Sequence, residues 1–225
     1  MRLKIMLRDC CSHDSVSSEE KSAAVADCNN HIDLAYRFSL HEPPSLWITH
    51  GVSGSGKTTL SELVVQRHGA IRLRSDIERK RHFGVSPTER PDERVKKKLY
   101  FESANRATYS RLRRLACSIL HDGYSVIVDA TFLQQHEREL FRELAEGEGV
   151  PFAILDCHAD EQTLRQRVAD RMSRDNDASD ADVKVLEQQL LSQEPLTPTE
   201  WKHVVDIPDV VSSSSGFEPA IESSL

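Results

Sequence analysis

No stretch of this 225-residue chain approaches the ~18 consecutive apolar residues of a membrane-spanning helix, so no span is expected. Met1–Cys10 has basic residues but neither an apolar core nor a small-residue cleavage site, so a secretory signal is not expected. Cysteine is sparse and unpatterned. Cys10, Cys11, Cys28, Cys117 and Cys157 are odd in number, and no two have metal-ligand spacing. Free thiols in a reducing cytoplasm are the simplest reading. An excess of positive charge is also missing. The formal net charge of −7 disfavours a broad nucleic-acid-binding surface but leaves room for a local basic cleft. No internal repeat is present. The length suits one domain with tails, or at most two small domains.

Glycine is scarce too, with nine in the chain, which makes its placement informative. Three of the nine fall within Gly51-Val52-Ser53-Gly54-Ser55-Gly56-Lys57-Thr58. The octet fits G-x-x-x-x-G-K-[ST] at every fixed position. An apolar run, Leu46–Thr49, precedes it, and a helical pattern at Leu60, Leu63 and Val64 follows. Strand, loop, helix is the order that phosphate binding needs: backbone N–H groups converge at a helix N-terminus and form an anion site. Lys57 would reach the β- and γ-phosphates of ATP, and the Thr58 hydroxyl would ligate Mg²⁺. Gly51, Ser53, Gly54, Ser55, Gly56, Lys57, Thr58 and Thr59 are the candidate nucleotide-binding set.

The rest of the chain reads as alternating strands and helices after Pro43-Pro44. Strands are expected at Leu46–Thr49, Ala70–Leu73, Ser125–Asp129, Phe152–Leu155 and, briefly, His203–Val205. Helices are expected at Lys57–His68, Ile77–Phe83, Arg94–Leu120, Glu137–Ala145, Glu161–Met172 and Ala181–Leu191. Gly69 caps the first of these, and Gly147 and Gly149 end the fourth. The stripe Thr108, Leu112, Leu115, Ile119 marks the core face of the long helix. Continuous apolar strands suit a parallel sheet covered on both faces. The expected fold is therefore α/β: a three-layer α/β/α P-loop NTPase with a parallel central sheet and a helical lid. Residues 1–43 form an N-terminal extension without clear periodicity, 44–208 the folded domain, and 209–225 a serine-rich tail expected to be disordered.

Chemistry concentrates at the carboxyl ends of the strands, where ligands of such sheets bind. In Arg74-Ser75-Asp76-Ile77-Glu78-Arg79, Asp76 is placed to orient an acceptor hydroxyl and take its proton. Arg79, one turn later, lies on the same face and can hold an anionic group. The alternative is that Ser75 or Asp76 merely caps the helix. Asp129 ends an apolar strand and is a candidate Mg²⁺ holder; the alternative is a carboxylate used for turn hydrogen bonds. Arg167, Arg171 and Arg174 fall on one helical stripe. They are candidates to close over the phosphates, Arg171 first among them, or else form a solvated face paired with Asp170, Asp175 and Asp177. Lys96–Lys98, Arg111, Arg113 and Arg114 form either a basic channel or a solvated helix face.

Taken in order, GVSGSGKTT, RSDIERKR, SVIVDATF and the arginine stripe resemble the P-loop kinase superfamily that includes gluconate kinases, zeta toxins and polynucleotide 5′-kinases. The resemblance covers about residues 32–206. Asp76-x-x-Arg79 looks like the D-x-x-R of polynucleotide kinases, which implies Asp76 as general base and Arg79 as a contact to substrate phosphate. The nearest likeness is to predicted kinases, labelled AAA-family ATPases, that are fused to aminoglycoside-phosphotransferase-like domains. It implies a functional link to such a partner, for which residues 1–31 are too short. Asp129 has no second acidic partner on its strand, so an AAA-type motor is not expected. The resemblance implies an ATP- and Mg²⁺-dependent kinase acting on a hydroxyl of a small molecule or nucleotide. Lys57, Asp76, Arg79 and Arg171 would be catalytic, with Thr58 and Asp129 at the metal. The alternatives are an ATP-binding switch without its own acceptor and a 5′-end nucleic-acid kinase.

Overall fold

The computed structural model describes residues 17–39, 43–86, 101–172 and 183–205. The chain separates into two compact units, 1–42 and 43–225. The first contains helix α1, Ser18–Ser39, where the sequence suggested no regular structure. Its start is a reciprocal capping box. The Ser17 N–H donates to Glu20 Oε2 at 2.9 Å, and the Glu20 N–H donates to Ser17 Oγ at 3.2 Å. The Ser17 hydrogen bonds hold the Glu20 carboxyl below its ordinary value.

The second unit is built on four strands: β1 Leu46–His50, β2 Ile71–Arg74, β3 Val126–Asp129 and β4 Phe152–Asp156. They lie in the order β2-β3-β1-β4, and every pairing is parallel. Side chains on each strand alternate between two buried faces. On one face Leu46, Ile48, Val126, Val128, Phe152 and Ile154 meet residues of α4 (Glu102–His121) and α5 (Gln135–Glu148). On the other, Trp47, Ile127, Ala153 and Leu155 meet α2 (Lys57–His68) through Val64, Leu60 and Leu63. This double covering is why the strands read as unbroken apolar runs. The remaining helices are α3 Ser75–His82, α6 Glu161–Met172 and α7 Val183–Ser192.

The expected α/β P-loop fold is thus present, with element ends shifted by one to three residues, except that the long helix expected from Arg94 begins at Glu102, because Phe101 before it is extended (φ −69°, ψ 151°). Residues 94–100 and 181–182, assigned to helices from the sequence, lie outside the described residues, as does the tail 209–225. Three expectations need correction. Gly147 lies inside α5; Gly149, at φ +67°, ends it, with the Val150 N–H closing onto the Ala145 carbonyl at 3.0 Å. His203–Val205 is not a strand. A 3₁₀ turn, Glu200–His203, consumes its start, and a single parallel rung joins Val204 to Ile154 beside β4. On α4 the fully covered face is Ala104, Thr108, Leu112, Ala116 and Leu120, while Leu115 and Ile119 are half-buried at its margin.

One buried joint fastens the loop after β3 to the segment after α7. Arg138 of α5 is 1% exposed, yet each of its N–H groups meets an acceptor. Nε donates to Glu200 Oε1 at 2.6 Å, and Nη2 donates to Glu200 Oε2 at 3.1 Å and to the Pro195 carbonyl at 3.2 Å. Nη1 donates to the carbonyls of Phe132 at 3.0 Å and Glu194 at 3.3 Å. Burial by itself would raise the Glu200 carboxyl, but Arg138 and Thr197 outweigh it and hold the group below its ordinary value.

Candidate active site

The loop between β1 and α2 turns through three left-handed glycines, Gly51, Gly54 and Gly56. Two of them are also pressed by neighbouring backbone. A Cβ on Gly51, at φ +135°, would stand 2.4 Å from the Cys157 carbonyl oxygen, and one on Gly54 would stand 3.0 Å from the Leu164 carbonyl oxygen. The first approach is fixed by two contacts. The Cys157 N–H donates to the His50 carbonyl at 2.9 Å, and His50 Nδ1 lies 2.7 Å from Asp156 Oδ1. Burial alone would raise the Asp156 carboxyl, but hydrogen bonds from His50 and His158 prevail and hold it below its ordinary value. Gly51→Ala is expected to lower stability by at least about 1–3 kcal/mol of backbone strain, read in denaturant melts, and to abolish nucleotide uptake.

Lys57 and Thr58 open α2. Lys57 Nζ donates to the Val52 carbonyl at 2.7 Å, so its ammonium group lies folded against the loop. The Thr58 hydroxyl donates to Asp129 Oδ2 at 3.2 Å, and the Ser61 hydroxyl donates to the same oxygen at 3.3 Å. Asp129 ends β3 and is 6% exposed. Burial pushes its carboxyl above the ordinary value, Lys57 and Arg74 pull it back, and Asp76 pushes it up again. The donor set is therefore a hydroxyl and a carboxylate, hard oxygens of the kind Mg²⁺ takes.

The sign of this shift gives a test. A carboxyl raised by folding keeps a proton that the unfolded chain has already released. Stability therefore falls as pH rises from the unfolded pKa through the folded one. Asp129→Asn is expected to melt higher than the parent at neutral pH, with the gain shrinking as pH falls through that window. Thermal melts across pH measure it. On the reading of Asp129 as a Mg²⁺ holder, the same variant is expected to lose Mg²⁺-dependent nucleotide binding.

Across β3, the end of β2 supplies a second group of side chains. Asp76 lies in the first turn of α3 and faces the cavity. The N-cap of α3 is Arg74, and no side chain caps it, so Asp76 is not spent as a helix cap. Arg79 is 7% exposed, and its Nη2 donates to Asn105 Oδ1 at 3.0 Å. Asn105 Nδ2 in turn donates to Glu137 Oε1 at 2.8 Å, so the amide is held at both ends. Burial raises the Glu137 carboxyl. Nothing in the sequence analysis singled out Asn105. Its signal was a polar residue on a buried stripe, four positions before Tyr109, whose hydroxyl accepts from the Phe132 N–H at 3.1 Å.

The two groups share one cavity of about 780 Å³, lined among others by Gly54, Lys57, Thr58, Asp76, Arg79, Asn105, Asp129 and Arg167. Arg167 of α6 reaches the loop from above, its Nη1 donating to the Gly54 carbonyl at 3.1 Å. The side chain of Arg171 and all of Arg174 fall outside the described residues, as do Lys96–Lys98. Arg111 is committed to Glu78, with Nε 2.7 Å from Oε2, so it does not line an open basic channel. After β3, Leu133 lines the cavity, while Phe132 is fully buried in the core at φ +47°. No described helix is long and apolar enough to cross a membrane. The described cysteines Cys28, Cys117 and Cys157 are free thiols, and burial pushes that of Cys157 up to about 12.

The model of the AAA domain family (AAA_33) matches residues 46–196. Uncharacterized protein Rv2004c of Mycobacterium tuberculosis (strain ATCC 25618 / H37Rv) is 27% identical over 162 residues, 72% of this chain and 32% of that protein. Uncharacterized protein Mb2027c of Mycobacterium bovis matches to the same extent. The chain thus spans about a third of the length of the curated relatives it matches. Among solved structures, an unliganded sugar kinase from Janibacter sp. HTCC2649 is similar at a TM-score of 0.53 and 20% identity, covering 72% of this chain and 84% of that one. Kti12 of Chaetomium thermophilum, in complex with ADP-AlF3, is similar at 0.51 and 16% identity, covering 68% and 82%. At these identities the structures speak to the fold. Since the family match runs from β1 past α7, over well more than half of the sequence, the chain belongs to the AAA domain family and has the P-loop kinase fold.

Proposed function

We propose that this protein is an ATP-dependent phosphotransferase that moves the γ-phosphoryl group to a hydroxyl of a small molecule or nucleotide. One observation carries the reading: a phosphate-type loop and an acceptor-type carboxylate, Asp76, line the same cavity. In this reading the loop amides from Gly54 to Thr59 and the Lys57 ammonium bind the phosphates, and Ser53, whose N–H donates to Gln189 Oε1, shapes the loop. The Thr58 hydroxyl and the Asp129 carboxylate hold Mg²⁺, consistent with their shared contact at 3.2 Å. Bound Mg²⁺ supplies neutralisation of charge on the phosphate oxygens. Asp76 orients the acceptor hydroxyl and takes its proton. Arg79, steadied through Asn105 by Glu137, presents its guanidinium to an anionic group of the acceptor or to the phosphoryl group. Arg167 and Arg171 add positive charge from α6. Localisation in the cytoplasm, and a functional link to an aminoglycoside-phosphotransferase-like protein, belong to the same reading.

The test is incubation with labelled ATP, Mg²⁺ and a fractionated metabolite extract, with Lys57→Ala as the blank. A labelled product seen only with the intact protein supports the reading and names the acceptor class. ATP uptake without any labelled product across all fractions would count against it, in favour of a nucleotide-dependent switch.

A further inference from the structure

The phosphate loop is gripped from outside by a helix to which the proposed reaction gives no task. Gln189 of α7 is half-buried on the cavity wall, and its Oε1 accepts a hydrogen bond from the Ser53 N–H at 2.7 Å. That bond fixes which way the amide faces. A backbone N–H can be met only by an acceptor, so the oxygen turns to the loop and the NH₂ group, with two donors, turns away from it. Lys57 shows which end of the loop this is. Its Nζ lies 2.7 Å from the carbonyl of Val52, the residue before Ser53. The ammonium group that clamps the far phosphates and the Gln189 amide therefore meet neighbouring residues of the chain.

The position is held firmly. Leu186, one turn before Gln189, is fully buried with Val52, Leu164 and Val168, so α7 is seated against both the loop and α6. Arg167 Nη1 takes the Gly54 carbonyl at 3.1 Å, so the Ser53–Gly54 dipeptide is fixed from two helices at once. A side chain of three free torsions is thereby held at the cavity wall with its amide donors not spent on Ser53.

We infer that Gln189 is a direct ligand of the terminal phosphoryl group: its carbonyl oxygen is tethered to Ser53 and its amide N–H groups donate to the phosphoryl oxygens. This rests on the reading of residues 51–59 as a nucleoside triphosphate site. A donor that only the third phosphate satisfies sets the preference for ATP over ADP. It also favours the charge-rich transition state of transfer.

Calorimetry with Mg-ATP and Mg-ADP on the full chain tests the inference without any acceptor. Gln189→Glu keeps an oxygen for Ser53 but replaces both donors with negative charge; Gln189→Met removes donor and acceptor alike. For Gln189→Glu, ATP affinity is expected to fall about tenfold or more while ADP affinity stays within about twofold, the size of one hydrogen bond to a charged group. Gln189→Met is expected to narrow the ATP/ADP ratio in the same direction, and thermal melts should place both variants close to the parent. An unchanged ratio in both variants, or equal weakening of ATP and ADP, would overturn the inference and leave Gln189 as a buttress of Ser53. A parent chain that takes up neither nucleotide would instead remove the nucleotide reading itself, and the inference with it.

Discussion

Asp76→Ala is expected to cut acceptor phosphorylation by about 10²–10⁴-fold, the range for loss of a positioned general base. ATP binding is expected to stay nearly intact, because the loop leads from β1 into α2, which carries Lys57 and Thr58, whereas Asp76 stands on α3. Product formation from labelled ATP and calorimetric ATP affinity, measured on the same preparation, give the two halves of the result. The combination is diagnostic: a nucleotide switch without an acceptor would turn over ATP equally well with or without Asp76. A second signature accompanies it. Asp76 is one of the charges that push the Asp129 carboxyl up, so its removal lowers that group toward its ordinary value. Asparagine at 76 is expected to behave like alanine in transfer, since it cannot accept the proton.

The second large effect concerns stability. Arg138→Leu is expected to cost about 3–5 kcal/mol, the penalty for breaking a buried ion pair from one side. For a chain of this size that corresponds to a fall of roughly 6–20 °C in melting temperature. The cost has two parts. Glu200, 5% exposed, is left as an uncompensated buried carboxylate, and the carbonyls of Phe132, Glu194 and Pro195 lose their donor. The double variant Arg138→Leu with Glu200→Leu separates them. It removes the stranded charge but not the orphaned carbonyls, so it is expected to recover only part of the loss. A single variant that melts with the parent would show that the joint contributes nothing net.

Much of this architecture was legible because strand and loop signals coincided. The octet from Gly51 to Thr58 declared a turn and a helix start together. The place of Asp129 beside Thr58 was readable because a residue closing the strand next to the loop stands at the carboxyl edge of the sheet. The failures have physical causes. His203–Val205 has strand-like residues, but the preceding turn Glu200–His203 leaves room for one rung only. Helix α1 escaped because its apolar stripe is short and weak, Val25, Cys28 and Ile32, of which Val25 and Ile32 are more than half exposed. Its Ser17-x-x-Glu20 box was nonetheless in plain view. Asn105, Arg138 and Gln189 were invisible for a different reason. Each is a polar residue on an ordinary helix, and its partners lie tens of positions away, up to 136 for Gln189 and Ser53. Only the folded chain brings such pairs together.

The strand order carries a last implication. β3, with Asp129 at its tip, stands between β1, which delivers the phosphate loop, and β2, which delivers Asp76 and, through α3, Arg79. In the proposed reaction, what would recognise the donor and what would recognise the recipient thus hang from opposite flanks of one central strand. The recipient flank, from β2 through α4, is a single uninterrupted stretch of sequence. On that proposed reading, changes confined to this stretch would alter the recipient while leaving the hold on the donor intact.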